Sequence, residues 1–166
     1  MLTVCAVLGI ASVIAIPTAA PVAETRADTA ADAIVQALRF AREEAMRTGS
    51  NRMLGCDTAR NSLSVYIPDA NGGVTKMVTN PLSKMDYTVV LGQVPAGGNI
   101  ALSACGFKFD KDTLQTVSFD GDGNPVRGIG DPKKQAQSLA AGTISLGIGK
   151  VTRTVSIDAT GRVTES

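Results

Sequence analysis

The chain has 166 residues, room for one modest domain and an appendage. Its 16 Lys and Arg nearly balance 15 Asp and Glu, so no global field gathers nucleic acid or anionic lipid, and either partner would need a local patch. With no His and no Trp, the usual Ser-His and Cys-His nucleophile pairs and His-ligated metal sites are excluded, and the core must rest on Val, Ile, Leu, Met and Ala.

The chain opens on an apolar run. No charged side chain occurs from Met1 to Ala23, and as a helix this run would extend about 35 Å, enough to cross a bilayer core. Cys5 lies inside it and reads as a small hydrophobe. A signal peptide would start with Lys or Arg and carry a shorter apolar region. The small residues of a cleavage site are present in PTAAPVAET, but the basic start is not. The following stretch, TAADAIVQALRFAREEAMRTG, has the period of an amphipathic helix. Ala30, Ile34, Ala37, Leu38, Ala41 and Ala45 fall in one stripe. Asp28, Asp32, Arg39, Glu43 and Arg47 lie around the other side, with Glu43 at helical ion-pair spacing before Arg47. Gly49 supplies a stop, so the helix should end near position 48. Pro17 and Pro21 would bend or loosen the rod. The small-residue stripe predicts close packing on a sheet or on other helices.

Beyond Gly49 the pattern changes to short alternating runs. SLSVYIP, GVTKMVTN, YTVVLG, NIALSA and QTVSFDG read as strands bounded by Gly, Pro, Asn or Asp. GTISLGIGKVTRTVSIDATGR reads as a hairpin, with Gly147, Gly149 and Lys150 at its turn. GDPKKQAQSLAAG reads as a polar connection. The expected fold is α+β, a long N-terminal helix packed on an antiparallel β-sheet head. Cys56 and Cys105 both fall in the part that would be exported if the N-terminus targets a membrane. A disulfide between them would close a loop worth about 3–4 kcal/mol on the chain-entropy model, and two buried free thiols are the alternative.

DGDGNPVRGIGD carries Asp120, Asp122, Asn124 and Asp131 in a partial calcium-loop pattern, but Pro125 replaces the required Gly and the closing residue is not Glu. A tight Asp-Gly turn explains the same residues, so no metal and no cofactor is expected. No nucleophile elbow or phosphate loop is present, and the chain does not read as an enzyme.

Several stretches resemble one family. VLGIASVIAIP, with Gly9 followed eight residues later by Pro17, is similar to the apolar N-terminal segment of type IV pilin-like proteins. LRFAREEAMRTGSNRML resembles the end of the long helix in minor pilins and pseudopilins of the GspH/FimT group. Cys56 falls where many members carry a cysteine, and TVSFDGDGNP and TVSIDATGRVT resemble later strands of the group. In family precursors a basic leader, a cleavage-site Gly, an aromatic residue and a Glu precede the apolar segment. That Glu would fall immediately before Met1, so either the start lies further upstream, which is the expectation, or this member has lost processing.

The resemblance implies a pilin-like layout: residues 1–22 as the transmembrane half of the helix, 23–50 as its amphipathic periplasmic half, and 51–166 as the β-rich head. It implies a single-pass protein of the bacterial inner membrane with its head in the periplasm. Its partners would be other pilin or pseudopilin subunits and the inner-membrane assembly machinery, in a type II secretion pseudopilus or a type IV pilus. An exported soluble β-rich binding module with a cleaved signal peptide is the alternative. Some members of the group bind DNA through a C-terminal Gly-Arg-x-Arg stretch. Here Gly161 and Arg162 remain, and Arg153 and Lys150 on the hairpin could add to a patch. Thr164 replaces the second Arg and Glu165 adds a negative charge, so nucleic acid is not the expected partner.

Overall fold

The computed structural model describes residues 19–95 and 98–166, with side chains from residue 22 onward in the first helix. Gly9 and Pro17, and Cys5 with them, lie outside the described residues. Helix α1 (Ala19–Thr48) is 30 residues long, a rod of about 45 Å, and Pro21 sits in its first described turn. All six residues of the small apolar stripe are buried, and Ala27, Ala31 and Val35 extend the same face. The helix ends as Gly49 predicts. Gly49 takes φ +62°, and the Ser50 amide donates back to the Ala45 carbonyl, a Schellman closure.

One ion pair differs from the sequence expectation. Arg47 does not pair with Glu43 but grips Glu44 with two bonds, at 2.8 Å from Nε and 2.7 Å from Nη2. Spacings of three and four both face along a helix. Glu44 is the more buried of the two acids, so its carboxylate is held in place while Glu43 faces solvent. The bonds from Arg47 lower the Glu44 pKa.

The strands form two antiparallel sheets where the sequence suggested one. The first contains β1 (Arg52–Asp57), β2 (Ser62–Pro68), β3 (Val74–Met77), β4 (Thr88–Val90), β7 (Thr116–Phe119) and β8 (Pro125–Val126). Its order is β3-β2-β1-β7-β8, with β4 sharing the outer edge of β2. The second contains β5 (Ala101–Phe109), β6 (Asp112–Leu114), β9 (Ala141–Ile148), β10 (Val151–Asp158) and β11 (Val163–Glu165), in the order β11-β10-β9-β5-β6. The hairpin β9–β10 pairs Ile148 with Val151 across a two-residue turn, Gly149–Lys150, with Gly149 at φ +61°. The polar connection before it holds a one-turn helix, α2 (Pro132–Gln135), whose Lys134 amide is capped by Asp131 Oδ1 at 3.0 Å.

Both sheets lie against α1. Phe107, Phe109, Ile144, Leu146, Val155 and Ile157 come from the second sheet, and Leu54, Leu63, Val65, Val117 and Phe119 from the first. Together with the alanine face they form one core. Three fasteners among the described residues join the sheets, one of them an ion pair from Arg127, just after β8, to Asp112 on β6. Cys56 on β1 is bonded to Cys105 on β5, with Cα atoms 6.4 Å apart. Asn61, in the β1–β2 turn, donates to the Ile100 carbonyl and accepts from the Leu102 amide, both at 2.6 Å.

Two outcomes follow from this packing. A Cβ at Gly142 would meet Phe107 Cδ1 at 2.5 Å and Ile157 Cγ2 at 2.6 Å, both in the core. Gly142→Ala should therefore destabilise the chain by about 1–3 kcal/mol in urea unfolding, the usual cost of overpacking. The double substitution Cys56→Ser with Cys105→Ser should cost about 2–5 kcal/mol in the same assay, and adding a reductant to that variant should change nothing further.

Candidate functional site

The C-terminal strand pair builds a cationic concavity around the Gly161–Arg162 turn. Asp158, the last residue of β10, organises that turn. Its Oδ1 accepts from the Thr160 hydroxyl at 2.7 Å, the Thr160 amide at 2.8 Å and the Arg162 amide at 3.0 Å. The Thr160 hydroxyl, followed by those two amides, holds the Asp158 carboxyl below its ordinary pKa. Backbone bonds complete the turn: the Gly161 amide donates to Asp158 O, and the Asp158 amide to Arg162 O.

Gly161 is required by its backbone conformation rather than by lack of space. Its φ is +81°, and a Cβ there would lie 3.4 Å from Arg42 Cζ and from Pro125 Cδ. Arg42, on α1, reaches across to this turn and donates from Nη1 to the Gly161 carbonyl at 3.4 Å. Its Nε is buried and has no hydrogen-bond partner among the described residues. Arg39, one turn earlier on the helix, and Arg162 line the same cleft of about 460 Å³, together with Leu38, Val163 and Thr164. Among the described residues, none of Arg39, Arg42 and Arg162 lies within ion-pair distance of a carboxylate, whereas Arg47, Arg60, Arg127 and Arg153 all do.

The three cations considered from the sequence are not brought together. Arg153 Nε is bound to Asp28 Oδ1 on α1 at 2.6 Å, so it ties the second sheet to the helix. Lys150 is exposed at the β9–β10 turn, at the opposite end of β10 from Asp158, about 26 Å of strand away from the Arg162 turn. Arg162 has instead gained Arg39 and Arg42. The sequence signal for them was present: two arginines three apart on α1 share a helix face. What the sequence lacked was the contact from α1 to a turn more than a hundred residues later.

Beside this cleft the charge reverses. Glu165 on β11 has its pKa raised by burial first, then by Asp32 and Asp28 of α1, with Arg153 opposing. The acidic loop singled out in the sequence is a self-contained turn: Asp120 Oδ1 accepts from the Asp122 amide at 3.0 Å and the Asn124 amide at 2.8 Å. Asp131 is occupied in capping α2. On another side of α1, a cleft of about 580 Å³ lies between the helix and β3, lined by Phe40, Ile67, Met77 and Val78 with Arg52 and Lys76. Phe40 stacks on Tyr87 at 4.2 Å between ring centroids, fixing the segment before β4 to the helix.

A long N-terminal helix clasped by a two-sheet antiparallel head is the pilin arrangement. Residues 30–161 match the family model described as type II transport protein GspH, and the chain belongs to that family. The fold is similar to that of the minor pseudopilin EpsH from the type 2 secretion system of Vibrio cholerae. The TM-score is 0.55 at 17% identity, over 85% of this chain and 96% of that one. It is also similar to the type IV minor pilin FimU of Pseudomonas aeruginosa, with a TM-score of 0.54 at 16% identity, over 86% and 90% of the two chains. No curated protein matches the chain by sequence.

Substituting Gly161 tests the construction of the turn. Gly161→Ala should cost about 1–2 kcal/mol, because an L side chain is forced into the left-handed region. Hydrogen exchange at the Arg162 amide should accelerate more than exchange at the β9–β10 pairs.

Proposed function

We propose that the chain is a minor pilin or pseudopilin subunit of a bacterial filament, a type II secretion pseudopilus or a type IV pilus. In this reading the apolar N-terminal segment anchors it in the inner membrane and the two-sheet head stands in the periplasm. It assembles with other pilin-like subunits and is handled by inner-membrane machinery. Its role is structural rather than enzymatic. Family membership supports the reading, as does the likeness of the fold to a minor pseudopilin and a minor pilin.

The observation that carries it is how α1 leaves the head. Ala27 is fully buried, yet Val22, five residues nearer the N-terminus, is half exposed. The helix therefore emerges from the β head toward the uncharged run that ends at Ala23. Among the described residues no helix is long and apolar enough to cross a membrane. The reading places the anchoring half in residues 1–22, whose uncharged sequence supports it. A filament also suits the chemistry of such a segment, since apolar helices with small residues can exchange lipid contacts for contacts with one another.

The test is the N-terminus of the mature protein, expressed from its own locus with the natural upstream DNA and read by mass spectrometry in membrane and soluble fractions. The expected result is a membrane-bound chain that retains Met1–Ala23 and cross-links to pilin-like subunits. A soluble chain beginning near Glu24 would overturn it in favour of an exported binding module.

A further inference from the structure

We infer that the cleft formed by Arg39, Arg42 and Arg162 is a receptor for a glutamate side chain presented by a neighbouring protein subunit. The source of the glutamate rests on the filament reading; the chemistry of the cleft does not.

Three guanidinium groups line one concavity and no carboxylate of the described chain neutralises them. Like charges held together without a counter-charge repel, and the cleft nonetheless keeps Arg42 part-buried against two glycine turns. Among the described residues its one hydrogen bond is a long one to a backbone carbonyl, and its buried Nε has no partner. An anion supplied from outside would give the three guanidinium groups the counter-charge they lack, and a planar carboxylate matches the guanidinium fork in both shape and charge.

The walls favour a carboxylate on an aliphatic stem. Val163, part-exposed on the wall of the same cleft, offers apolar surface to methylene groups while the arginines take the head group. Thr164 adds a hydroxyl to the rim.

The surroundings disfavour a polyanionic strand. Glu43 follows Arg42 directly on α1, Asp158 closes the turn beneath Arg162, and Glu165 lies two residues after Val163. These acids add local negative charge that opposes a chain of phosphates more than a single carboxylate. The near-neutral chain adds no long-range attraction for nucleic acid.

The full chain in detergent micelles is titrated with fluorescein-labelled tetraglutamate at low ionic strength, followed by anisotropy, in parallel with a short labelled DNA duplex. Saturable tetraglutamate binding is expected. It should weaken about tenfold for each of Arg39→Gln and Arg162→Gln, the loss of one charge-assisted contact. Both residues are exposed, so the fold should tolerate these changes, and unchanged thermal melting checks that it does. Lys150→Gln, at the far end of β10, should leave binding intact. Absence of tetraglutamate binding, or binding insensitive to both arginine substitutions, would overturn the inference. Tighter binding of the duplex through the same two arginines would also overturn it and reassign the cleft to nucleic acid. The filament reading is decided separately by fractionation. A membrane-bound, cross-linked chain that fails to bind tetraglutamate removes only the receptor, and a soluble chain that binds it removes only the filament.

Discussion

The architecture depends on the narrow alanine face of α1. Ala27, Ala30, Ala31, Ala37, Ala41 and Ala45 are all buried, and between them only Ile34, Val35 and Leu38 supply bulk. A methyl group leaves the helix backbone accessible, so strands can approach closely from two directions. α1 contacts β1, β2, β4 and β7 of one sheet and β9, β10 and β11 of the other. The large side chains of the core come from the strands, with Phe107, Phe109 and Phe119 all fully buried. The division of labour is consistent: the sheets bring volume and the helix brings proximity. A larger residue at Ala41 would wedge helix from sheet, and an Ala-to-Gly change would loosen the rod instead.

The same face makes one head out of two sheets. Neither sheet encloses a core without the helix, and few covalent or polar links run between them. The Cys56–Cys105 bridge and the Asn61 clamp join β1 and its turn to β5. At the other edge Arg127, which follows β8, pairs with Asp112 on β6, and further fasteners pass through α1: Phe40 on Tyr87 for the first sheet, Arg153 on Asp28 and Arg42 on Gly161 for the second. These anchors lie between Asp28 and Arg42, over about four helical turns, so the head is fixed against both rotation and sliding along the rod.

How much of this was legible depends on range. The helix, its buried stripe and its glycine stop are local, set by periodicity and by φ at one position, and they could be read directly. So could the strand SLSVYIP, which coincides with β2, and the β9–β10 hairpin. β1 was harder, because it is central. RMLGCD is buried at four of six positions and shows no two-residue alternation, even placing Arg52 inside. The second sheet was illegible for a related reason: strand order is a matter of pairing, and β5 reaches β9 across more than thirty residues. In the candidate site, Gly161 and Arg162 were visible as a motif. Grouping Arg162 with Arg153 and Lys150 assumed that neighbours in sequence share a surface. On an extended strand they are instead spread along its length, and Asp28 had already claimed Arg153.

The arginine cleft is therefore a product of the docked helix and not of either segment alone. Arg42 and Gly161 are 119 residues apart in sequence, and their contact exists only when β11 has closed against α1. The left-handed turn at Gly161 presents the carbonyl that Arg42 Nη1 reaches at 3.4 Å. A carbonyl carries only a partial negative charge, so it orients Arg42 without neutralising it. An aspartate at that place would have held Arg42 more firmly and left no charge for a partner. Asp158, the acid nearest in the chain, is turned to the Thr160 and Arg162 amides instead. Its carboxylate shapes the backbone of the turn, and the three arginines keep their charge facing outward into the cleft.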